Sequence, residues 1–142
     1  MITTCLSLST GSVCVPERIM RRGAALRRTW IPVRIGIIRH KTEGVILFDT
    51  GLSDRMFDTL TPRIWSTVRG LTPIDGMQSA VSLLAEQGIT PGEVRHIIIS
   101  HNHVDHVAGL RDFPNATIHH LFPDEIDLHL FLDGIAHDLF PH

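Results

Sequence analysis

Four potential metal ligands stand close together late in the chain, in the order His-x-His-x-Asp-His: His101, His103, Asp105 and His106. Imidazoles combined with a carboxylate suit zinc, iron or manganese better than calcium or magnesium. His101 and His103 are two residues apart, so in an extended chain they point to the same side and can hold one ion. Asp105 and His106 are adjacent and diverge, which lets them reach a second position. The spacing therefore predicts a metal site.

An apolar run, Val94–Ile99, comes directly before this cluster and predicts a buried strand. A strand fixes the backbone, and the loop that follows it aims the ligands. The ordinary alternative is a polar loop in a histidine-rich protein, since the chain has 10 His in 142 residues. Chance does not readily place three His and one Asp together directly after an apolar strand. We therefore favour the metal site.

The cluster resembles the metal loop of the metallo-β-lactamase superfamily of hydrolases. Phe48-Asp49-Thr50-Gly51, after an apolar strand, is similar to the family's Asp-Thr-Gly element. The order along the chain also matches, with that element followed by a helix, Gly-Ile-Thr-Pro (88–91), the strand and the metal loop. Residues 107–110 and 113–116 resemble the branch that holds the N-acyl-homoserine lactonases and related lactone or ester hydrolases. The resemblance runs from near the start of the chain to about residue 126.

This resemblance implies a metal-dependent hydrolase of an ester, a lactone or a similar acyl bond in a small-molecule substrate. His101 and His103 would hold the first metal ion, and Asp105 and His106 the second. Two zinc ions are expected, with manganese or iron as alternatives. Such ions acidify a water and polarise a carbonyl, while Asp105 could also pass a proton to the leaving oxygen. Asp49 would orient the metal loop rather than bind metal, a role compatible with holding its own turn.

The family's complete site takes further ligands from the second half of a four-layer αββα sandwich, namely a downstream His, a bridging Asp and a last His. The chain stops at His142, before any of these can be placed. The resemblance therefore implies one partial α/β domain over residues 1–142, corresponding to the N-terminal half, with a mixed sheet and helices on one face. The chain also has no Tyr, whereas lactonase-like members place a Tyr near the substrate carbonyl.

Other functions stay open. The main alternative is a truncated, non-catalytic remnant that binds metal or another protein, and a homodimer could restore the missing layer. Within the superfamily, thioester hydrolysis and nuclease activity are also possible, because the substrate-facing residues do not separate them.

Apolar periodicity predicts the elements that position the loop. Strands are expected at 2–8, 13–15, 30–40, 45–48, 94–99 and 116–121. Turns are expected at 9–12 and 41–44, and helices at 77–87, at 107–111 and from Pro123. Residues 45–48 are apolar on both faces, which predicts a buried strand. Thr90 to Glu93 predicts a capping box with Pro91 at the first helical position.

Composition sets further bounds on function. Residues 1–41 hold eight Lys or Arg and one acid, and the rest of the chain holds five Arg and fourteen acids. The arginines at 18–28 could form a nucleic-acid patch, but no aromatic residue interleaves with them before Trp30. We favour a solvated arm and no nucleic-acid partner. No apolar run approaches membrane-spanning length, and no secretory signal is recognised. A cytoplasmic protein without a membrane partner is expected.

Cysteines and the remaining histidines have modest expected roles. Cys5 and Cys14 lie on what is predicted to be one hairpin, where either a disulfide or two reduced thiols could occur, and we favour the thiols. His119 and His120 point to opposite faces of a strand and are expected to be ordinary surface or satisfied residues. Four possible metal ligands are spaced by four residues near the end of the chain: Glu125, His129, Asp133 and His137. They could bind metal along one side of a helix, but the solvated face of an amphipathic helix explains the spacing as well.

Overall fold

The computed structural model describes residues 1–25, 27–55, 72–101 and 103–120, with only the backbone described for Ile19 and Met20. Six strands form one sheet: β1 (Ile2–Pro16), β2 (Arg28–His40), β3 (Gly44–Phe48), β4 (Ile74–Asp75), β5 (Val94–Ile99) and β6 (Thr117–His120). The α-helices of the described ranges are α1 (Glu17–Met20), α2 (Ala80–Glu86) and α3 (Val104–Val107). Two short 3₁₀ turns, Pro91–Glu93 and Leu110–Asp112, complete the set.

The sheet is mixed, with strand order β4-β1-β2-β3-β5-β6. β1 pairs antiparallel with β2 and β4, and β2 pairs antiparallel with β3. β3, β5 and β6 then run parallel to one another. The carboxyl ends of β3 and β5 therefore meet at the same edge of the sheet, which is where ligands commonly bind in α/β folds. The predicted α/β class with a mixed sheet is confirmed.

The hydrophobic core lies on one face of this sheet. Alternate residues of β2, β3 and β5 point into it, as the period of two requires. Helix α2 and the segment after α3 cover these residues. The buried cluster comprises Ile35, Ile37, Val45, Leu47, Ala80, Leu83, Leu84, Ile89, Val94, Ile97, Ile99, Val107, Leu110 and Phe113. The predicted burial of residues 45–48 is wrong for Phe48, which lies on the opposite face and is 38% exposed.

Strand β1 runs through residues 9–12, where the sequence predicted the turn of a hairpin. The chain passes through these residues as one strand, because β2 is long enough to pair with it throughout. The pairing register shifts between Ser9 and Gly11, and Gly11 has a φ of 135°. A β-bulge therefore stands where the turn was expected. Cys5 and Cys14 lie nine residues apart on this strand, about 30 Å at 3.3 Å per residue, and both are free thiols.

The start of the metal-loop helix is a second correction. The prediction placed a helix at 107–111, but α3 covers Val104–Val107 and a 3₁₀ turn follows at Leu110–Asp112. His103 caps α3, since its carbonyl accepts from the N–H groups of His106 (2.8 Å) and Val107 (3.2 Å). A carboxylate in the first turn also complements the helix dipole. Asp105 and His106 are consequently helical residues, not loop residues.

The other predicted elements agree closely with the structure. β2, the turn after it, β3, β5 and β6 lie where expected. Helix α2 begins three residues later than predicted, because Ser79 caps it by accepting from the Ser82 N–H. The expected capping interaction is present, with the Glu93 carboxylate accepting from the Thr90 N–H (2.7 Å). The predicted helix from Pro123, with its stripe of Glu125, His129, Asp133 and His137, lies outside the described residues.

Candidate metal centre

Two chain segments meet at the carboxyl edge of the parallel strands. Asp49 follows β3 and Ser100 follows β5. The Asp49 N–H donates to the Ile98 carbonyl (2.8 Å), and its φ is 61°. Aspartate tolerates this left-handed conformation better than most side chains. The turn brings the carboxylate of Asp49 over the end of β5.

Asp49 holds the metal loop through three hydrogen bonds. One carboxylate oxygen accepts from the Ser100 N–H (2.8 Å). The other accepts from the Ser100 hydroxyl (2.7 Å) and pairs with His106 Nδ1 (2.7 Å). The Asp49 residue is only 3% exposed, so these bonds replace the water that burial removes. Asp49 therefore lies directly against Ser100 and His106, and its role in orienting metal ligands stays a prediction.

The sequence-predicted ligands lie together in one group. The ring centroids of His101 and His103 are 4.6 Å apart, and those of His101 and His106 are 3.9 Å apart. His106 Nε2 lies 3.3 Å from a carboxylate oxygen of Asp105. His106 therefore stands between two carboxylates, with Asp49 at Nδ1 and Asp105 at Nε2. The Ser100 hydroxyl also contacts His101 Nδ1 (3.0 Å).

The charges of this group follow from its contacts. Hydrogen bonds to Asp105 and then to Asp49 outweigh burial and raise the pKa of His106 to about 9. Burial alone would raise the pKa of Asp105 and of Asp49, but hydrogen bonding, first of all to His106, lowers both. Burial, followed by the charges of His106 and His103, lowers the pKa of His101. His106 is thus an imidazolium at neutral pH in the metal-free chain, and a metal ion at Nε2 would have to displace a proton.

A second layer of contacts fixes the Asp-Thr-Gly turn. The N–H and hydroxyl of Thr50 both donate to the His106 carbonyl (2.8 and 2.9 Å), and the Thr50 hydroxyl accepts from the Gly109 N–H (3.1 Å). The hydroxyl of Thr10, at the bulge of β1, accepts from the Leu52 N–H (3.0 Å). Sequence reasoning assigned no role to Ser100, Thr50 or Thr10. The position of Ser100 directly before His101 could have indicated its role from the sequence. No neighbouring residue in the sequence indicates a role for Thr10.

The donor set fits a metal ion by its chemistry, since neutral imidazoles and carboxylates are the ligands that zinc uses. Within the described ranges, however, no three His, Cys, Asp or Glu side chains are arranged around one point where an ion could sit. The assignment of His101 and His103 to one ion and of Asp105 and His106 to another stays a prediction.

Comparison with known proteins identifies the family. Residues 28–142 match the sequence profile of the metallo-beta-lactamase superfamily. The chain belongs to this superfamily. A probable metallo-hydrolase of Mycobacterium bovis is 32% identical over 79 residues, which are 54% of this chain and 25% of that protein. A probable metallo-hydrolase of Mycobacterium tuberculosis matches with the same figures. The superfamily resemblance seen in the sequence is confirmed.

Solved structures share the fold of this superfamily member. An N-acyl homoserine lactone hydrolase with N-hexanoyl-L-homoserine bound at its catalytic metal centre superposes with a TM-score of 0.69 at 22% identity. The match covers 83% of this chain and 48% of that one. A dizinc quorum-quenching lactonase gives a TM-score of 0.56 at 21% identity, covering 83% of this chain and 43% of that one. The chain thus spans about half of these structures and a quarter of the curated relatives.

Across the residues that the structure describes, no helix is both long and apolar enough to span a membrane.

Proposed function

We propose that this chain carries the metal-binding loop of a hydrolase that opens lactones or cleaves esters and similar acyl bonds in small molecules. The observation that carries the proposal is the grouping of His101, His103, Asp105 and His106 over the end of β5, with the Asp49 carboxylate behind them. Membership of the metallo-β-lactamase superfamily supports metal-dependent hydrolysis. The lactone hydrolases among the fold relatives support the acyl substrate class.

In this proposal, His101 and His103 bind one ion, and Asp105 and His106 bind a second. Zinc suits these donors, and the dizinc lactonase with the same fold supports it; manganese and iron are alternatives. When bound, the ions would acidify a water and polarise the substrate carbonyl. Asp49 holds His106 by Nδ1, so that Nε2 faces the site.

The remaining polar residues have separate roles. The Ser100 hydroxyl holds His101 by its Nδ1 in the same manner. Asp105 is the residue we assign to proton transfer, since a carboxylate beside the reacting group can take and return a proton. The chain acts as one partial domain over residues 1–142, and no nucleic-acid or membrane partner is required.

Metal uptake is the first test. Substituting His101 and His103 together by Ala removes half of the donors and should abolish tight zinc uptake in equilibrium dialysis. His40→Ala is a matched control, because His40 lies at the far end of β2 beside Met1. Equal zinc content in the double variant and the wild-type chain would overturn the metal assignment.

A second candidate function is metal binding without turnover. The observation that favours it is the absence, within the described ranges, of a three-residue ligand set, whereas catalytic zinc usually keeps three protein ligands. Hydrolysis of a lactone and aryl-ester panel with added zinc, manganese or iron separates the two candidates. For the hydrolase we expect turnover that is low but falls to the level of free metal ion in Asp105→Asn. Zinc bound without any turnover would favour the second candidate.

A further inference from the structure

A second pair of histidines lies on the sheet away from the metal loop. His96 is on β5 and His119 is on β6, the last strand of the described sheet. The parallel register pairs His96 with Thr117 and Ile98 with His119. Since paired and alternate residues share a face, His96 and His119 are diagonal neighbours on one face. β5 runs on from His96 to Ile99 before the chain bends into the metal loop at Ser100, about 10 Å at 3.3 Å per residue.

The two rings face each other through their nitrogens. His96 Nδ1 is 3.0 Å from His119 Nε2, and the ring planes are inclined at 43°. Two imidazole nitrogens on a tetrahedral zinc ion, each at 2.0–2.1 Å, are separated by about 3.3 Å. In the metal-free chain this contact is a hydrogen bond between the two rings. An ion that binds both nitrogens must therefore replace the shared proton, and the nitrogen spacing is within a few tenths of an ångström of the one that chelation requires.

A carboxylate stands on the other side of His96. An oxygen of Glu43 is 3.7 Å from His96 Nε2, and the Thr42 hydroxyl anchors Glu43 through its second oxygen (2.9 Å). At this distance the contact is an ion pair rather than a hydrogen bond. The negative charge favours a proton on His96 Nε2, which leaves Nδ1 as the ligating nitrogen. The His96 side chain is 28% exposed and His119 lies at the surface, so an ion can reach both.

We propose that His96 and His119 form a second, shallow site for a borderline divalent transition-metal ion such as Cu²⁺, Ni²⁺ or Zn²⁺, with Glu43 orienting His96. Imidazole suits these ions, and Cu²⁺ binds most strongly in the usual order of affinities. Water completes the coordination shell. With two protein ligands, the site binds more weakly than the four-residue loop. It is independent of the proposed hydrolysis, because its residues take no part in that site.

The test measures Cu²⁺ and Zn²⁺ binding to the 142-residue chain that carries His101→Ala and His103→Ala. These two substitutions weaken metal binding by the loop. Titration calorimetry gives affinity, and electron paramagnetic resonance of Cu²⁺ reports the number of ligating nitrogens. We expect His119→Ala to weaken the remaining Cu²⁺ site at least tenfold and to remove one nitrogen from its spectrum. Glu43→Gln should weaken binding less, because it disturbs only the orientation of His96.

Thr117→Ala is the matched control, since Thr117 lies on the same strand and face and offers no imidazole. It should leave affinity and spectrum unchanged. The histidines elsewhere in the chain are common to all variants, so the comparison isolates the pair. Equal Cu²⁺ affinity and equal nitrogen count in His119→Ala and its parent would overturn the proposal, as would an equal loss in Thr117→Ala.

Discussion

At the scale of single residues, Asp49 organises the candidate centre. Its carboxylate accepts from the Ser100 N–H and hydroxyl and contacts His106 Nδ1. Through Ser100 it also reaches His101, so one buried side chain orients a donor of each proposed metal position. The sequence indicated Asp49 through the Asp-Thr-Gly element. It gave no role to Ser100, because a hydroxyl's partner depends on where the turn after β3 places the carboxylate.

Asp49→Asn tests this role. An amide of the same size offers one acceptor oxygen in place of two, so Ser100 and His106 can no longer both be satisfied. We expect zinc affinity to fall by roughly 10–100-fold, the usual effect of losing a residue that orients metal ligands. Isothermal titration measures the change. Asp75→Asn is the control, as Asp75 is exposed on β4, and equal affinities in the two variants would contradict the assigned role.

The charge of His106 predicts a pH dependence of stability in the metal-free chain. Asp105 and Asp49 raise the pKa of His106 to about 9. The protonated His106 therefore stabilises the fold fully at pH values below its ordinary pKa of 6.5, and this stabilisation is lost as the pH rises through 9. Both carboxylates have lowered pKa values, so their contributions fade only as pH falls below about 3.9. Urea unfolding should therefore show stability falling between pH 6.5 and 9. His106→Gln should flatten this slope, and an unchanged slope would contradict the assignment.

At the scale of elements, most strands could be predicted from the sequence, but the bulge that makes β1 one continuous strand could not. β5 and β3 have strong apolar patterns, and their bounds agree with the structure nearly residue for residue. Residues 9–12 contain Ser, Thr and Gly, which favour a turn when only neighbours along the chain are considered. Long-range pairing with β2 converts them into a bulge. The bulge then places Thr10 against the Asp-Thr-Gly turn, a contact that no local pattern reveals.

Gly51→Ala tests the contact between bulge and turn. Gly51 has a φ of 65°, and a Cβ there would overlap the side chain of Thr10. Gly76 is a matched control, with a φ of 60° and open space around a Cβ. Both alanines carry the backbone strain of positive φ, but only Ala at 51 adds an overlap in a packed site, which costs about 1–3 kcal/mol. Denaturant unfolding should show Gly51→Ala less stable than Gly76→Ala by about that amount, and equal stabilities would contradict the close packing.

At the scale of the whole molecule, the two faces of the sheet differ. The core face is covered by α2 and the segment after α3. The opposite face, which we call the outer face, carries Ile38, Ile46, Phe48 and Ile98, which are half-buried or exposed. Pairing of Ile38 with Ile46 and of Phe48 with Ile98 makes these side chains neighbours. Contiguous apolar patches above a few hundred Å² are uncommon on monomers, so the outer face has the chemistry of an interface.

We therefore expect the isolated chain to self-associate through Phe48 and the β2–β3 part of the outer face, which supplies a covering layer there and leaves the β5–β6 edge with His96 and His119 open. Burying a Phe side chain contributes about 1.5–3 kcal/mol, and a charge at its position would have to lose water for the same contact to form. Phe48→Lys should therefore weaken association, seen as a shift towards monomer in light scattering and sedimentation. Trp30→Lys is the control, because Trp30 is 52% exposed and lies at the other end of β2 from the β3 pairing. If the wild-type chain is a monomer with a cooperative melt at high concentration, or if both lysines act equally, the outer face is not the interface.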